Sequence, residues 1–137
     1  MDHETQASRV AELHENASKT LGKSILLLSG KGGTGKSNAA LNIALALSKM
    51  DRRVTLLDTN LQVTDISMLM GFEQKMNFRE ALYEGKAFHN LLFRDKSGLG
   101  VICGGMGFDG VEGIEDAVND KLTETLYQCR LKEDFLL

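Results

Sequence analysis

Eight residues, Gly30-Lys31-Gly32-Gly33-Thr34-Gly35-Lys36-Ser37, constrain this chain more than any other stretch. They fit the pattern Gly-x4-Gly-Lys-[Ser/Thr], and their flanks suit it. Ile25-Leu26-Leu27-Leu28 ahead of them is a short apolar run that reads as a buried strand. Residues 37–50 after them form a helix-favouring run. Strand, glycine loop and helix in that order turn a pattern match into a phosphate site. Glycines let consecutive N–H groups turn inward around an anion. The helix N-terminus adds free donors and partial positive charge. Lys36 brings a full charge to the outer phosphates, and Ser37 a hydroxyl suited to Mg²⁺, which takes few protein ligands. A chance match is the competing explanation, and the flanks weigh against it.

The rest of the chain alternates strands and helices. Residues 4–20 read as a thin amphipathic helix, with Val10, Leu13, Ala17 and Leu21 at helical spacing. Residues 24–29 are the first expected strand. The helix over 37–50 carries Ala, Leu and Ile on nearly all sides and should be buried. Residues 53–58 form a second strand of the interior parallel kind. It delivers Asp58 to the sheet edge that carries the glycine loop, where ligands bind in open α/β sheets. A short helix over 65–70 stops at Gly71. Another covers 77–84, with Asn77 and Glu80 as a capping box and Gly85 at its end. A third strand spans 99–103 between Gly98 and the Gly104-Gly105 turn. A helix over 120–132 shows Leu122, Leu126 and Cys129 on one face. Phe135-Leu136-Leu137 opens a new apolar run. This alternation implies an α/β fold, a mainly parallel sheet between two helical layers.

Composition narrows the function. The 137 residues suffice for one small core. A net charge of −3 gives no evident nucleic-acid surface. Cys103 and Cys129 have no metal-ligand spacing and suit buried thiols in a reducing cytoplasm. The polar start lacks the pattern of a secretory signal, and no apolar stretch approaches the ~18 residues of a membrane span. His3, His14 and His89 are scattered and read as surface histidines.

Lys31, with Gly32-Gly33 behind it, resembles the deviant Walker A motif of the MinD/ParA class of P-loop ATPases. Asn38-Ala39-Ala40-Leu41-Asn42, Leu56-Leu57-Asp58-Thr59-Asn60-Leu61 and Met68-Leu69-Met70-Gly71 fit the same class. Within it the chain is most similar to the FlhG/FleN subfamily of flagellar number regulators. That subfamily has an N-terminal extension carrying Asp-Gln-Ala-x-x-Leu-Arg. Thr5-Gln6-Ala7-Ser8-Arg9-Val10-Ala11 matches it at Gln6 and Ala7, with Val10 conservative. Ile102-Cys103-Gly104-Gly105-Met106-Gly107 resembles its glycine turn.

The resemblance implies a three-layer P-loop NTPase fold with ATP or ADP and Mg²⁺ as cofactors. The nucleotide would be held by Gly30, Lys31, Gly32, Gly33, Thr34, Gly35, Lys36, Ser37, Asn38 and Asp58. Ser37 would ligate Mg²⁺, with Asp58 in its second shell. Lys36, Lys31 and Asn60 would be the groups acting in hydrolysis, Lys31 by reaching the nucleotide of a second subunit in an ATP-dependent homodimer. A solvated loop lysine is the alternative for Lys31. The implied location is cytoplasmic, peripheral to the inner face of the cell membrane through a C-terminal helix. The extension would meet a flagellar SRP-type GTPase or a flagellar transcription activator.

Two departures stand out. The class usually has Asp-x-Asp after the second strand, where this chain has Asp58-Thr59-Asn60. An amide keeps the shape of the carboxylate and loses its charge, which weakens magnesium positioning and hydrolysis more than binding. Alternatively, Asn60 merely ends the strand in a turn. Glu133-Asp134-Phe135-Leu136-Leu137 resembles the first half of a Walker B strand. The chain is thus expected to be the N-terminal half of an ATPase domain over residues 23–137, preceded by an extension over residues 1–22. A ParA-like partition ATPase and a non-hydrolysing nucleotide-binding protein are the competing functions.

Overall fold

A computed structural model describes residues 21–59, 65–73, 86, 90–103 and 115–137. The expected helices over 4–20 and 77–84, the Gly104-Gly105 turn, Asn60 and the three histidines lie outside the described residues. The elements are β1 (Lys23–Ser24), α1 (Lys36–Lys49), β2 (Val54–Asp58), α2 (Asp65–Met70), β3 (Phe93–Arg94), β4 (Gly100–Cys103), α3 (Glu115–Lys132) and β5 (Phe135–Leu136).

The strands form one sheet in the order β1-β5-β2-β4-β3. β1, β5, β2 and β4 are parallel, and β3 is antiparallel to β4. The expected α/β architecture with a mainly parallel sheet is therefore present. The sheet has two apolar faces because its inner strands alternate. Val54 and Leu56 of β2 and Val101 and Cys103 of β4 pack with Ala40, Leu41 and Ala44 of α1. Leu57, Ile102 and Leu136 face the other way and pack with Cys129 of α3. Val54, Val101 and Ile102 are at most 1% exposed. Full burial of such side chains contributes roughly 1.5–3 kcal/mol each relative to exposure.

Glycine is demanded at Gly100, the register partner of Thr55. A Cβ there would lie 2.5 Å from Thr55 Oγ1 and 2.9 Å from Leu92 Cδ1. Beneath the sheet, Arg94 of β3 pairs with Glu133, whose side chain is 3% exposed, and so ties the β3–β4 hairpin to the α3–β5 corner. Arg53 and Asp134 add a second tie through both backbone and side chain. Those bonds from Arg53 hold the Asp134 carboxyl below the usual carboxylate range.

Two expectations need correction. The first strand is not a buried element over 24–29. β1 is two residues long at the sheet edge, and Ile25, Leu26 and Leu28 are 37%, 77% and 82% exposed. Its partner β5 supplies ladder groups as far as Leu136, whose carbonyl accepts from Ile25 N–H at 2.8 Å. Among the described residues, none pairs with residues 26–28 in the sheet. Second, α1 is not buried all round. Ala40, Leu41 and Ala44 are covered, while Ile43 is 40% exposed, since the helix meets the sheet along one stripe. The second strand, the helix over 65–70 and the strand ending at Cys103 occupy their expected places to within a residue. The last helix starts five residues earlier than expected, at Glu115.

Candidate functional site

The loop from Gly30 to Ser37 connects β1 to α1 above the carboxyl edge of the sheet. Gly33 and Gly35 hold φ of 72° and 83°, in the left-handed region that side chains disfavour. Gly35 is the N-cap of α1, which has no side-chain cap and no acidic residue in its first turn. The first-turn donors of α1 thus face the loop without the usual Ser, Thr or Asp acceptor. A Cβ built on Gly30, Gly32, Gly33 or Gly35 meets no protein atom within 4 Å. The glycines therefore line open space. An anion drawn by the helix N-terminus fits that cradle, and methyl groups would fill it.

Every expected loop residue lines this space. Gly30, Lys31, Gly32, Gly33, Thr34, Gly35, Lys36, Ser37 and Asn38 surround one open cavity of about 820 Å³. Ser29 Oγ donates to Lys31 O at 3.1 Å and Asn42 Nδ2 to Asn38 O at 2.8 Å, bonds that pin the two ends of the loop. Lys31 and Lys36 are exposed. Asp58 lines a second, smaller cavity of about 180 Å³, and Lys36 and Ser37 line it too. The structure thus brings Asp58 next to the loop at those two residues. The placement of Asn60 is outside the described residues.

Two wall residues escape the sequence reading. Met68 and Leu69 of α2 line the loop cavity and are 78% and 45% exposed. Helical periodicity contains the signal. Ile66 turns inward at 3% exposure, which leaves Met68, two residues on, on the opposite side of a short helix.

A lysine, a serine hydroxyl, a half-buried carboxylate and uncapped helix donors around glycines suit a polyphosphate with a divalent cation. Lys36 and the first-turn N–H groups offer charge-assisted donors to phosphate oxygens. Ser37 and Asp58 offer the oxygen chemistry that Mg²⁺ takes. Among the described residues, no cluster of three His, Cys, Asp or Glu is placed to hold a metal by itself.

The family model described as NUBPL iron-transfer P-loop NTPase, of the ParA group, matches residues 20–91. That is more than half of the chain. The chain belongs to the ParA-type P-loop NTPases. An ATP-binding protein of Methanocaldococcus jannaschii is 33% identical over 103 residues, covering 74% of this chain and 38% of its own length. The antiactivator FleN of Pseudomonas aeruginosa is 32% identical over 78 residues, covering 57% of this chain and 28% of FleN. Among solved structures, the septum site-determining protein MinD of Pyrococcus horikoshii, complexed with Mg-ADP, superposes with a TM-score of 0.69 at 23% identity. That match covers 85% of this chain and 48% of MinD. This ParA-type chain therefore spans well under half the length of these two curated relatives. Among its described residues no helix is long and apolar enough to cross a membrane.

Proposed function

We propose that this chain is the nucleotide-binding part of an ATP-driven dimerising switch that sets flagellar number or placement. The observation that carries the nucleotide reading is the loop. Left-handed glycines open a cradle over an uncapped helix, and Lys36, Ser37 and Asp58 converge on one cavity beside it. In this reading residues 23–137 form the nucleotide-binding body and residues 1–22 an appended segment.

Bound ATP with Mg²⁺ supplies the transferable phosphoryl group and the charge that the site must balance. Lys36 binds the outer phosphate oxygens and stays with them as charge develops. Ser37 and Asp58 would hold the cation, Ser37 through its hydroxyl and Asp58 from the surrounding shell, and the cation would supply charge to balance the phosphates. Lys31, exposed at the mouth of the loop, extends its charge toward the nucleotide of a second copy. Asn60 in place of a carboxylate makes hydrolysis slow, so the ATP-bound dimer is long-lived. The protein works at the inner face of the membrane, and its extension is the contact for a flagellar GTPase or transcription activator.

Likeness to FleN supports the flagellar role, and likeness to the septum site-determining MinD of Bacillus subtilis, 33% identical over 78 residues, supports division-site placement as the second reading. Deleting the gene and counting flagella and septa separates them. Altered flagellar number with normal septa supports the first, and the reverse supports the second. Dimerisation is tested by sedimentation with Mg-ATP against Mg-ADP. ATP should shift the chain to a dimer, and Lys31→Ala should abolish that shift while nucleotide affinity stays within about twofold. Normal ATP-dependent dimers in Lys31→Ala would return Lys31 to a solvated surface residue.

A further inference from the structure

The short helix α2 touches both cavities of the candidate site. Ile66 lines the cavity of about 180 Å³ with Lys36, Ser37 and Asp58. Met68 and Leu69 line the cavity of about 820 Å³ with the glycine loop. Lys36 and Ser37 line both. The placement of α2 against those two residues therefore sets how much room, and how much water, the loop cavity holds. Apolar side chains over a phosphate exclude water, and a drier site strengthens the pull of Lys36 on the anion.

Packing holds both ends of α2. Near its start Ile66 sits in the cluster that contains Ala40, Leu41 and Cys103. At its end Gly71 takes φ of 69°, with Phe72 N–H donating to Ser67 O at 3.1 Å and Gly71 N–H to Met68 O at 3.3 Å. Phe72 then stacks on Phe93 of β3, ring centroids 4.0 Å apart. One polar contact lies between these ends. The backbone N–H of Ser67 donates to Cys103 Sγ. A first-turn N–H has no acceptor within its own helix, and here the sheet supplies one. Cys103 is the register partner of Asp58, and alternation turns both toward the α1 face, where α2 packs. An ordinary buried cysteine fills space as a small hydrophobe. This one also ties the wall of the loop cavity to the strand end that carries Asp58.

We propose, resting on the nucleotide reading above, that Cys103 is a positioning residue of the phosphate site: its sulfur accepts the Ser67 N–H and so holds α2 where Met68 and Leu69 cover the phosphate loop. Without that acceptor the ends of α2 stay packed while its first turn loosens. The wall then draws back, water enters the loop cavity, and phosphate binding weakens.

Calorimetric titration of the full chain with Mg-ADP tests it. Cys103→Ala should weaken binding about three- to tenfold, the range that one hydrogen bond sets. Cys103→Ser keeps an acceptor and should recover most of that loss. Cys129→Ala removes the other buried thiol, in the cluster on the α3 side, and should bind within about twofold of wild type. Amide exchange reads the contact without ligand. Cys103→Ala should speed exchange at residues 67–69 by at least about tenfold and leave residues 55–57 of β2 as slow as in wild type. Should Cys103→Ala fail to fold, Met68→Ala combined with Leu69→Ala probes the wall on exposed side chains and should weaken Mg-ADP binding to a similar degree. Wild-type affinity in Cys103→Ala overturns the proposal and leaves the nucleotide reading standing. So do equal losses in Cys103→Ala and Cys129→Ala, no recovery in Cys103→Ser, or full affinity in the Met68 and Leu69 variant. Failure of wild type to bind Mg-ADP would remove the nucleotide reading itself, and the proposal with it.

Discussion

Asp58 and Cys103 are register partners at the carboxyl ends of β2 and β4. The neighbourhood combines a half-buried carboxylate with a thiol that is 1% exposed. Burial pushes the Cys103 thiol up to about 12 from 9.0, and the Asp58 carboxylate adds to the rise. Cys129 is likewise pushed up to about 12, by burial first and then by Glu133. Both thiols are held protonated under the two faces of the sheet.

This has a consequence at high pH. The unfolded chain releases these protons near 9, while the folded chain keeps them toward 12. The stability they contribute is therefore complete below pH 9 and is lost as pH rises from 9 toward 12. Urea midpoints measured from pH 8 to 10.5 should fall steeply. Replacing Cys103 and Cys129 by Ala together should flatten that fall. An unchanged slope would show that other groups carry it. In the native chain at pH 8 both thiols should resist disulfide reagents until the protein unfolds.

The loop glycines should separate folding from binding. Gly33→Ala and Gly35→Ala force a side chain into φ of 72° and 83°, at a cost of roughly 1–2 kcal/mol. Thermal melts should drop by several degrees for each. Gly32 has no positive φ, and a Cβ there meets nothing within 4 Å. Gly32→Ala should melt within about 0.5 kcal/mol of wild type. Its methyl nevertheless enters the loop cavity and should weaken phosphate binding. Full binding by Gly32→Ala would mean that the cradle is not where the phosphates sit.

Arg94 and Glu133 make a one-sided pair. The glutamate side chain is 3% exposed and the arginine 43%. Arg94→Ala strands a buried carboxylate and should cost about 2–3 kcal/mol. That is below the usual range for a fully buried pair, because water reaches the arginine. Adding Glu133→Gln to Arg94→Ala should recover part of the loss. Denaturant titration of the two variants measures both effects, and no recovery would assign the cost to lost arginine packing instead.

The sequence exposes those parts of the molecule whose causes are local. The glycine loop is legible because left-handed backbone and an uncapped helix start leave few alternatives at Gly33 and Gly35. β2 is legible because Val54 to Leu57 are apolar on both sides of an interior strand. β3 is not, since Phe93–Arg94 is too short for any alternation and forms by pairing with Gly100 and Val101. The short extent of β1 is also a long-range property. Ile25 to Leu28 have strand-like chemistry, yet among the described residues the ladder on β1 spans Lys23 and Ser24. At the candidate site, Lys36 and Ser37 follow from the motif and Asp58 from its strand end. Met68 and Leu69 enter the wall only through the way α2 folds back over the loop.

The most direct test of the account is calorimetric titration of the full chain with Mg-ADP and with Mg-ATP, wild type beside Lys36→Ala. A charged hydrogen bond is worth roughly 1.5–3 kcal/mol, so losing Lys36 should weaken binding by about 10- to 100-fold. The account predicts saturable binding by wild type at one site and that loss in the variant. Unchanged affinity in Lys36→Ala, with both proteins folded, would contradict the phosphate-site assignment.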